Sequence, residues 1–166
     1  MICTMRRRAA SARQKAREER SGATLVEMAV VLPVFFLFVF AFIEFGHVYM
    51  TIHVLNGAAK QASRIGIGDN STTQNVKNKA EEILQGLVSP TTQVTVKVLD
   101  GSAFDDPTVD ASTVDYETLP EIDLSQAESG QLFIVRLTVP YDNIAILGPK
   151  WVKNVTITGL SVMRHE

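Results

Sequence analysis

The sequence predicts an α+β protein, in which a long N-terminal helix precedes a short helix and a small antiparallel sheet. Residues 23–43 form one apolar stretch, and apolar residues then continue at three- and four-residue steps, the period of a helix. Three later segments alternate apolar and polar residues, as half-buried strands do. The charges divide along the same lines: residues 1–22 carry a net +5, residues 23–43 a net −1 and residues 44–166 a net −6.

The composition excludes several classes of protein. The net charge of −2 and the pI near 5.9 argue against a nucleic-acid partner, because no basic excess exists to neutralise phosphates. The single cysteine, Cys3, excludes a disulfide framework and a cysteine-based zinc site. A mean hydropathy of +0.11 at 20% charged residues indicates that unlike regions are combined in one chain.

The apolar stretch is predicted to be a transmembrane helix over residues 23–44. The 21 apolar-stretch residues, 23–43, would form a helix of about 31 Å, which matches the hydrocarbon core of a bilayer. Fourteen of them are Leu, Ile, Val or Phe, worth roughly −4 to −8 kcal/mol for insertion. Glu27 is the only ionisable side chain, and it would cost up to about 3 kcal/mol at the bilayer centre. Insertion is therefore favoured.

The flanking charges predict the orientation of this helix. The basic cluster precedes it, and no Lys or Arg follows until Lys60, so the N-terminus is expected in the cytoplasm and the chain beyond about residue 45 outside. A cleaved secretory signal peptide is the competing interpretation. The stretch exceeds the usual 7–15 apolar residues of a signal peptide, and no small-x-small cleavage site follows it.

The helical pattern continues over residues 45–67. It is carried by an apolar stripe made of Phe45, Val48, Tyr49, Ile52, Leu55, Ala59, Ala62 and Ile65. Gly66 and Gly68 then give a strong helix stop. One helix from about residue 23 to 65 would be about 65 Å long, and Pro33 should bend it.

Residues 68–166 are predicted to form an exported α+β domain. A helix should run from Thr72 or Thr73 to Gln85, with Gly86 closing it and with one apolar face made of Val76, Ala80, Ile83, Leu84 and Leu87. The strands are predicted at 93–99, 132–139 and 155–163. Their inward positions include Val94, Val96, Val98, Phe133, Val135, Leu137 and Val139.

Residues 100–130 form an acidic loop, with nine Asp or Glu residues and no Lys or Arg. A solvated loop with a short strand near 114–119 is the favoured interpretation, and a loose calcium site or a partner-docking surface is the alternative. The spacing of the acids does not match the calcium loop of an EF-hand.

Catalysis finds little support in the sequence. His47 and His53 are six residues apart, which aligns them poorly on a helix for one metal ion. Complete P-loop, nucleophile-elbow and zinc-protease motifs are absent from the sequence. We therefore expect neither enzymatic activity nor a cofactor or metal.

The start of the apolar stretch carries the most informative pattern. Gly22 separates the basic leader from the apolar residues, and Glu27 follows five positions later. This arrangement resembles the leaders of type IV pilin-like proteins, which a prepilin peptidase cuts after such a glycine. The resemblance implies that Ala23 becomes the N-terminus and that a neighbouring subunit's N-terminus satisfies Glu27. Otherwise Gly22 is a flexible junction and Glu27 an interfacial acid.

A longer stretch resembles the TadE/TadG-like proteins of the tight-adherence (Tad) pilus system. The resemblance rests on Val26-Glu27-x-Ala29, Pro33, Glu44-Phe45-Gly46 and Ala58-Ala59-x-x-Ala62-x-Arg64, with a similar tail ending Ile-Thr-Gly-Leu-Ser-Val-Met-Arg. It implies a pilin-like fold and a minor pseudopilin or assembly component in the bacterial inner membrane, with its C-terminal domain periplasmic or extracellular. The implied partners are membrane lipid, the prepilin peptidase, other pseudopilin subunits and the assembly platform.

Two features depart from the major pilin of such systems: Met28 stands where that subunit has Tyr, and this chain is much longer. The alternative function is an uncleaved single-pass surface binding or adhesion module.

Two further sets of residues are candidates for contacts with other helices or subunits. Glu44 marks the outer end of the membrane helix, where it either pairs with a partner subunit or faces water. Ala58, Ala59 and Ala62 would allow close helix contact, or they pack against the protein's own sheet.

Overall fold

The computed structural model describes residues 2–68, 71–85, 94–146 and 148–166, with side chains at residue 22 and from residue 24 onward. It confirms the predicted α+β class. Its helices and strands are, in chain order, α1 (Ile2–Ile65), α2 (Thr73–Gln85), β1 (Thr95–Asp100), β2 (Leu132–Pro140) and β3 (Thr156–Arg164). The chain divides into two compact units, Met1–Ile43 and Glu44–Glu166.

Within the first unit the chain is helical from Ile2 onward. The long helix predicted over about residues 23–65 is confirmed, and α1 also extends N-terminally of its predicted start. The leader consists largely of Ala, Arg, Lys, Glu and Gln, which have high helix propensity and propagate the helix backwards. Pro33 lies inside α1, and the bend expected there stays a prediction.

The second unit contains the sheet, with strand order β1-β2-β3 and both pairs antiparallel. The register aligns Val98 with Val135 and Val135 with Ser161, so alternate residues share one face. The strand bounds confirm the predicted segments to within two residues. Gly86, Leu87 and Gln93 lie outside the described residues.

The core lies between the sheet and the two helices. Leu55 and the three alanines of α1, with Val76, Ala80 and Leu84 of α2, meet Val98 of β1 and the alternate residues Phe133, Val135, Leu137 and Val139 of β2. Helix α1 passes very close to β3, since a Cβ added at Gly159 would lie 2.4 Å from the carbonyl carbon of Leu55. Only glycine fits at that crossing.

The acidic loop is folded back onto the sheet. Residues 120–122 pair with the edge of β1 through the hydrogen bonds Asp100 N–Pro120 O and Ile122 N–Val98 O, of 2.9 and 3.1 Å. The carboxylate of Glu117 lies 2.8 Å from the Arg136 guanidinium, which also stands over the ring of Tyr116. Asp105 likewise pairs with Arg164 of β3, so both acids engage the loop with the sheet.

The prediction of a short strand near 114–119 was wrong, because this segment forms turns. The Asp115 carboxylate accepts the N–H of Glu117, and the Thr118 hydroxyl donates to the Asp115 carbonyl. Such local hydrogen bonds compete with strand pairing. Similar turns lower the pKa of Asp106, which accepts from the Thr108 hydroxyl and N–H, and the pKa of Asp110, which accepts from Ser112.

Candidate functional site

The predicted processing site lies inside α1. Gly22 is helical, and a Cβ added there would meet nothing within 4 Å. The Glu27 side chain is exposed on the same helix, about 7.5 Å further along its axis. The side chain of Ala23 lies outside the described residues. Cleavage between residues 22 and 23 stays a prediction.

The apolar stretch that follows is largely exposed. Apart from the half-buried Val39, the large apolar side chains from Leu25 to Ile43 are between 42% and 75% exposed. A window of this helix has a mean hydropathy of 2.6, with none of its residues buried, and it is long and apolar enough to cross a membrane. Such a surface is typical of a segment surrounded by lipid or by other helices, and it indicates single-pass anchoring in a membrane.

Helix α1 also carries exposed apolar side chains within the second unit. Phe45 is 53%, Tyr49 65% and Met50 64% exposed. Part of the predicted stripe therefore faces outward rather than inward, namely Phe45, Tyr49 and Ile65. The inward face of α1 is narrower and is made of Thr51, Leu55, Ala58, Ala59, Ala62 and Ser63. The sequence pattern does not distinguish these two faces because both contain apolar residues at helical spacing.

Glu44 has a partner that the sequence did not indicate. Its side chain is 7% exposed, and its carboxylate accepts hydrogen bonds from the backbone N–H groups of Lys150, Trp151 and Val152 at 2.8–3.1 Å. Because the donors are backbone groups more than 100 positions away, no residue pattern signals them. Charge-assisted bonds of this kind are stronger than neutral ones. Glu44 thus holds residues 150–152 against α1.

Tyr141 strengthens the same contact. Its hydroxyl donates to the Glu44 carbonyl at 3.3 Å, and its ring lies beside His47. Burial raises the pKa of the Tyr141 phenol, and the charge of the Glu44 carboxylate raises it further.

The three candidate alanines serve the protein's own core. Ala58, Ala59 and Ala62 are at most 1% exposed and belong to the cluster that contacts the sheet. Of the two roles left open for them, the structure places them in packing within the Glu44–Glu166 unit.

A surface pocket of about 490 Å³ lies at the start of α2. Its polar groups have structural partners: the Thr73 hydroxyl donates to the Ile122 carbonyl and accepts from the Leu124 N–H, while Asp123 accepts from the Ser125 N–H. Among the described residues, no cluster of three or more His, Cys, Asp or Glu side chains is placed to hold a metal ion.

Comparison with protein families gives a match to the N-terminal helix. Residues 22–64 match the family model described as TadE-like protein. No curated protein and no solved structure matches the chain. The matched segment contains Gly22, Glu27, Glu44 and the core alanines of α1. Together with the membrane helix, the match fits a membrane protein associated with the Tad pilus system. The resemblance to TadE/TadG-like proteins is therefore confirmed over residues 22–64.

Proposed function

We propose that this chain is a minor pseudopilin or assembly component of a tight-adherence pilus or secretion system. In this proposal residues 23–44 span the bacterial inner membrane, the leader is cytoplasmic, and a prepilin peptidase cuts after Gly22. The family match supports it because the matched segment begins at that glycine.

The observation that carries the proposal is the exposed apolar surface beyond the membrane span. The 21-residue stretch is long enough to anchor the domain without help. Phe45, Tyr49 and Met50 nevertheless remain exposed on the next two turns of α1. An apolar helix surface beyond the hydrocarbon core is best covered by other helices. A subunit that packs beside its neighbours has a use for this surface, whereas a simple anchor does not.

Glu27 has a corresponding role in the proposal. It is the only ionisable side chain between residues 24 and 43, and a carboxylate in lipid requires a partner. Cleavage would create an ammonium group at Ala23, and the N-terminus of a neighbouring subunit would pair with Glu27. Other Tad subunits and the assembly platform are the proposed partners.

We assign the chain a structural rather than a catalytic role. The alternative, an uncleaved surface binding module, would use the acidic loop to meet a ligand. Several carboxylates of that loop already have partners, since Glu117 pairs with Arg136 and Lys97 and Asp105 pairs with Arg164. Fewer of its charges are therefore available to a ligand.

The test is Glu27→Ala in cells that assemble the pilus, compared with Glu81→Ala. Glu81 is an exposed acid on α2, so its removal makes the same change in charge away from the helix. We expect Glu27→Ala to reduce pilus assembly strongly at an unchanged protein level, and Glu81→Ala to leave assembly intact. Normal assembly with Glu27→Ala would favour the binding module.

A photoreactive side chain at Tyr49 tests the exposed surface directly. We expect it to cross-link to other pilus subunits, while the same group at Lys60, an exposed polar position on α1, should give few such products. Equal cross-linking from both positions would contradict a specific contact.

A further inference from the structure

The connection between β2 and β3, residues 141–155, concentrates exposed apolar side chains. Beyond α1, five large apolar side chains are exposed among the described residues, and three of them, Ile146, Trp151 and Val155, lie in this connection. Ile146 is 71% exposed and Trp151 42%. Two cations, Lys150 and Lys153, are exposed beside Trp151.

Residues 141–145 and 150–155 of the connection are tied to the rest of the unit. The backbone N–H groups of Lys150, Trp151 and Val152 donate to Glu44, as described above. Tyr141 N donates to the Val155 carbonyl at 2.9 Å, and Asn154 N donates to Asp142 at 3.0 Å. Ile144, Ala145 and Val152 pack against the core. The exposed side chains of residues 150–155 are therefore presented from a backbone segment that is tied to the rest of the unit.

The point of attachment lies at the end of the apolar stretch. Glu44 follows Ile43, the last residue of that stretch, and one helical residue rises about 1.5 Å. If residues 23–43 fill the hydrocarbon core, Glu44 stands at its outer boundary. Hydrogen bonds of 2.8–3.1 Å hold the backbone of residues 150–152 against the carboxylate of Glu44.

The side chains there have the chemistry of a membrane interface. Trp is enriched at the headgroup level because its ring is apolar and its indole N–H is polar. Lys extends its ammonium group to lipid phosphates while its stem covers apolar surface. Both lysines also stand out in a unit whose net charge is −6. The nearby acids are already engaged, because Glu44 and Asp142 accept backbone hydrogen bonds.

We propose that Ile146, Lys150, Trp151 and Lys153 form a membrane-interface contact that binds the phospholipid headgroup region of the bilayer in which α1 is inserted. The contact would fix the exported unit on the membrane surface through a second point besides the helix. It rests on membrane anchoring by α1 and does not require pilus assembly or cleavage of the leader.

The chain provides its own probe, because Trp151 is its only tryptophan. The full chain would be reconstituted into vesicles of phosphatidylethanolamine and phosphatidylglycerol. Quenching of tryptophan fluorescence would be measured with aqueous acrylamide and with lipids brominated near either end of the acyl chain. We expect Trp151 to be quenched by lipids brominated near the headgroup.

Two matched controls calibrate the measurement. In Trp151→Phe with Val109→Trp, the tryptophan sits in the acidic loop, and we expect acrylamide to quench it at least about threefold more than Trp151, since an interfacial ring is shielded from water. In Trp151→Phe with Phe35→Trp, the tryptophan reports insertion of the apolar stretch. Its fluorescence should be quenched by lipids brominated near the end of the acyl chain that lies deep in the bilayer.

The outcomes separate the explanations. Acrylamide quenching of Trp151 equal to that of the Val109→Trp control would overturn the proposal. Shielding of Trp151 from both acrylamide and brominated lipid would also overturn it, because protein would then cover the site. If the Phe35→Trp control fails to respond to brominated lipid, the anchoring itself is wrong and the contact falls with it.

Discussion

Two stretches of the same helix use apolar residues in opposite ways. Between residues 24 and 43 every large apolar side chain of α1 except the half-buried Val39 is exposed, although Leu, Val and Phe are among the residues that most favour burial. Between residues 51 and 63 the helix buries a narrow face made mostly of small residues. The first stretch depends on its surroundings for burial, and the second is buried by the protein's own sheet. Hydrophobicity alone therefore does not say which part of a helix forms the core.

The largest expected effect comes from filling the space at the helix–sheet crossing. Gly159→Val would place side-chain atoms against the backbone of Leu55, which is 2.4 Å from an added Cβ. We expect a loss of more than about 4 kcal/mol in unfolding free energy, enough to prevent stable folding of the Glu44–Glu166 unit. Urea unfolding of the full chain in detergent, followed by Trp151 fluorescence, measures it.

Gly57→Ala is the matched control for that substitution. Gly57 is helical and an added Cβ there meets nothing within 4 Å, so we expect a small gain of about 0.5–1 kcal/mol. A tolerated Gly159→Val would show that α1 does not pack on β3 as described.

Two leucines on α1 compare its two stretches directly. Leu55 is fully buried, whereas Leu37 is exposed in the apolar stretch. We expect Leu55→Ala to cost about 3 kcal/mol and Leu37→Ala less than about 0.5 kcal/mol, both measured by the same urea unfolding. Equal losses would mean that the apolar stretch also belongs to the folded core.

A smaller effect is expected where the acidic loop meets the sheet. Arg136→Met removes the cation that pairs with Glu117 and stands over Tyr116, and we expect a loss of about 1 kcal/mol. Limited proteolysis within residues 100–130 should accelerate. Arg164→Met, which removes the more exposed pair with Asp105, is the control and should have less effect on stability. The opposite ranking would contradict the assigned contacts.

The smallest effect concerns alkaline pH. Burial, followed by the charge of Glu44, raises the pKa of Tyr141 in the fold. The contribution of the neutral phenol to the free energy of unfolding is therefore complete below the ordinary phenol pKa of about 10. It is lost as pH rises through the raised pKa. Tyr141→Phe should remove the contribution of this phenol to the pH dependence of the unfolding free energy. It should also remove the ionisation step of Tyr141 from a titration followed by absorbance. An unchanged titration curve would contradict the burial of this phenol.

The sequence predicted elements whose signals are local. The alternation of β2 identified Phe133, Val135, Leu137 and Val139 as inward residues because a strand has a period of two. The family resemblance came from residues 21–65, and the match over residues 22–64 falls on the same segment.

Contacts between residues far apart in the chain could not be predicted from the sequence. The partners of Glu44 are backbone N–H groups more than 100 residues away, and they carry no side-chain signature. The close approach of Leu55 to Gly159 likewise depends on the fold as a whole. Phe45 and Tyr49 were predicted on the wrong side because the apolar stripe of α1 is wider than the face that the sheet covers.

The processing of the N-terminus is the most direct test of the proposed role. Intact-mass measurement of the protein from cells with an active prepilin peptidase would locate the first residue. We predict a chain that begins at Ala23, having lost seven basic and two acidic residues and Cys3, so that its net charge is −7 instead of −2. A chain that retains Met1 in those cells would contradict the pseudopilin proposal.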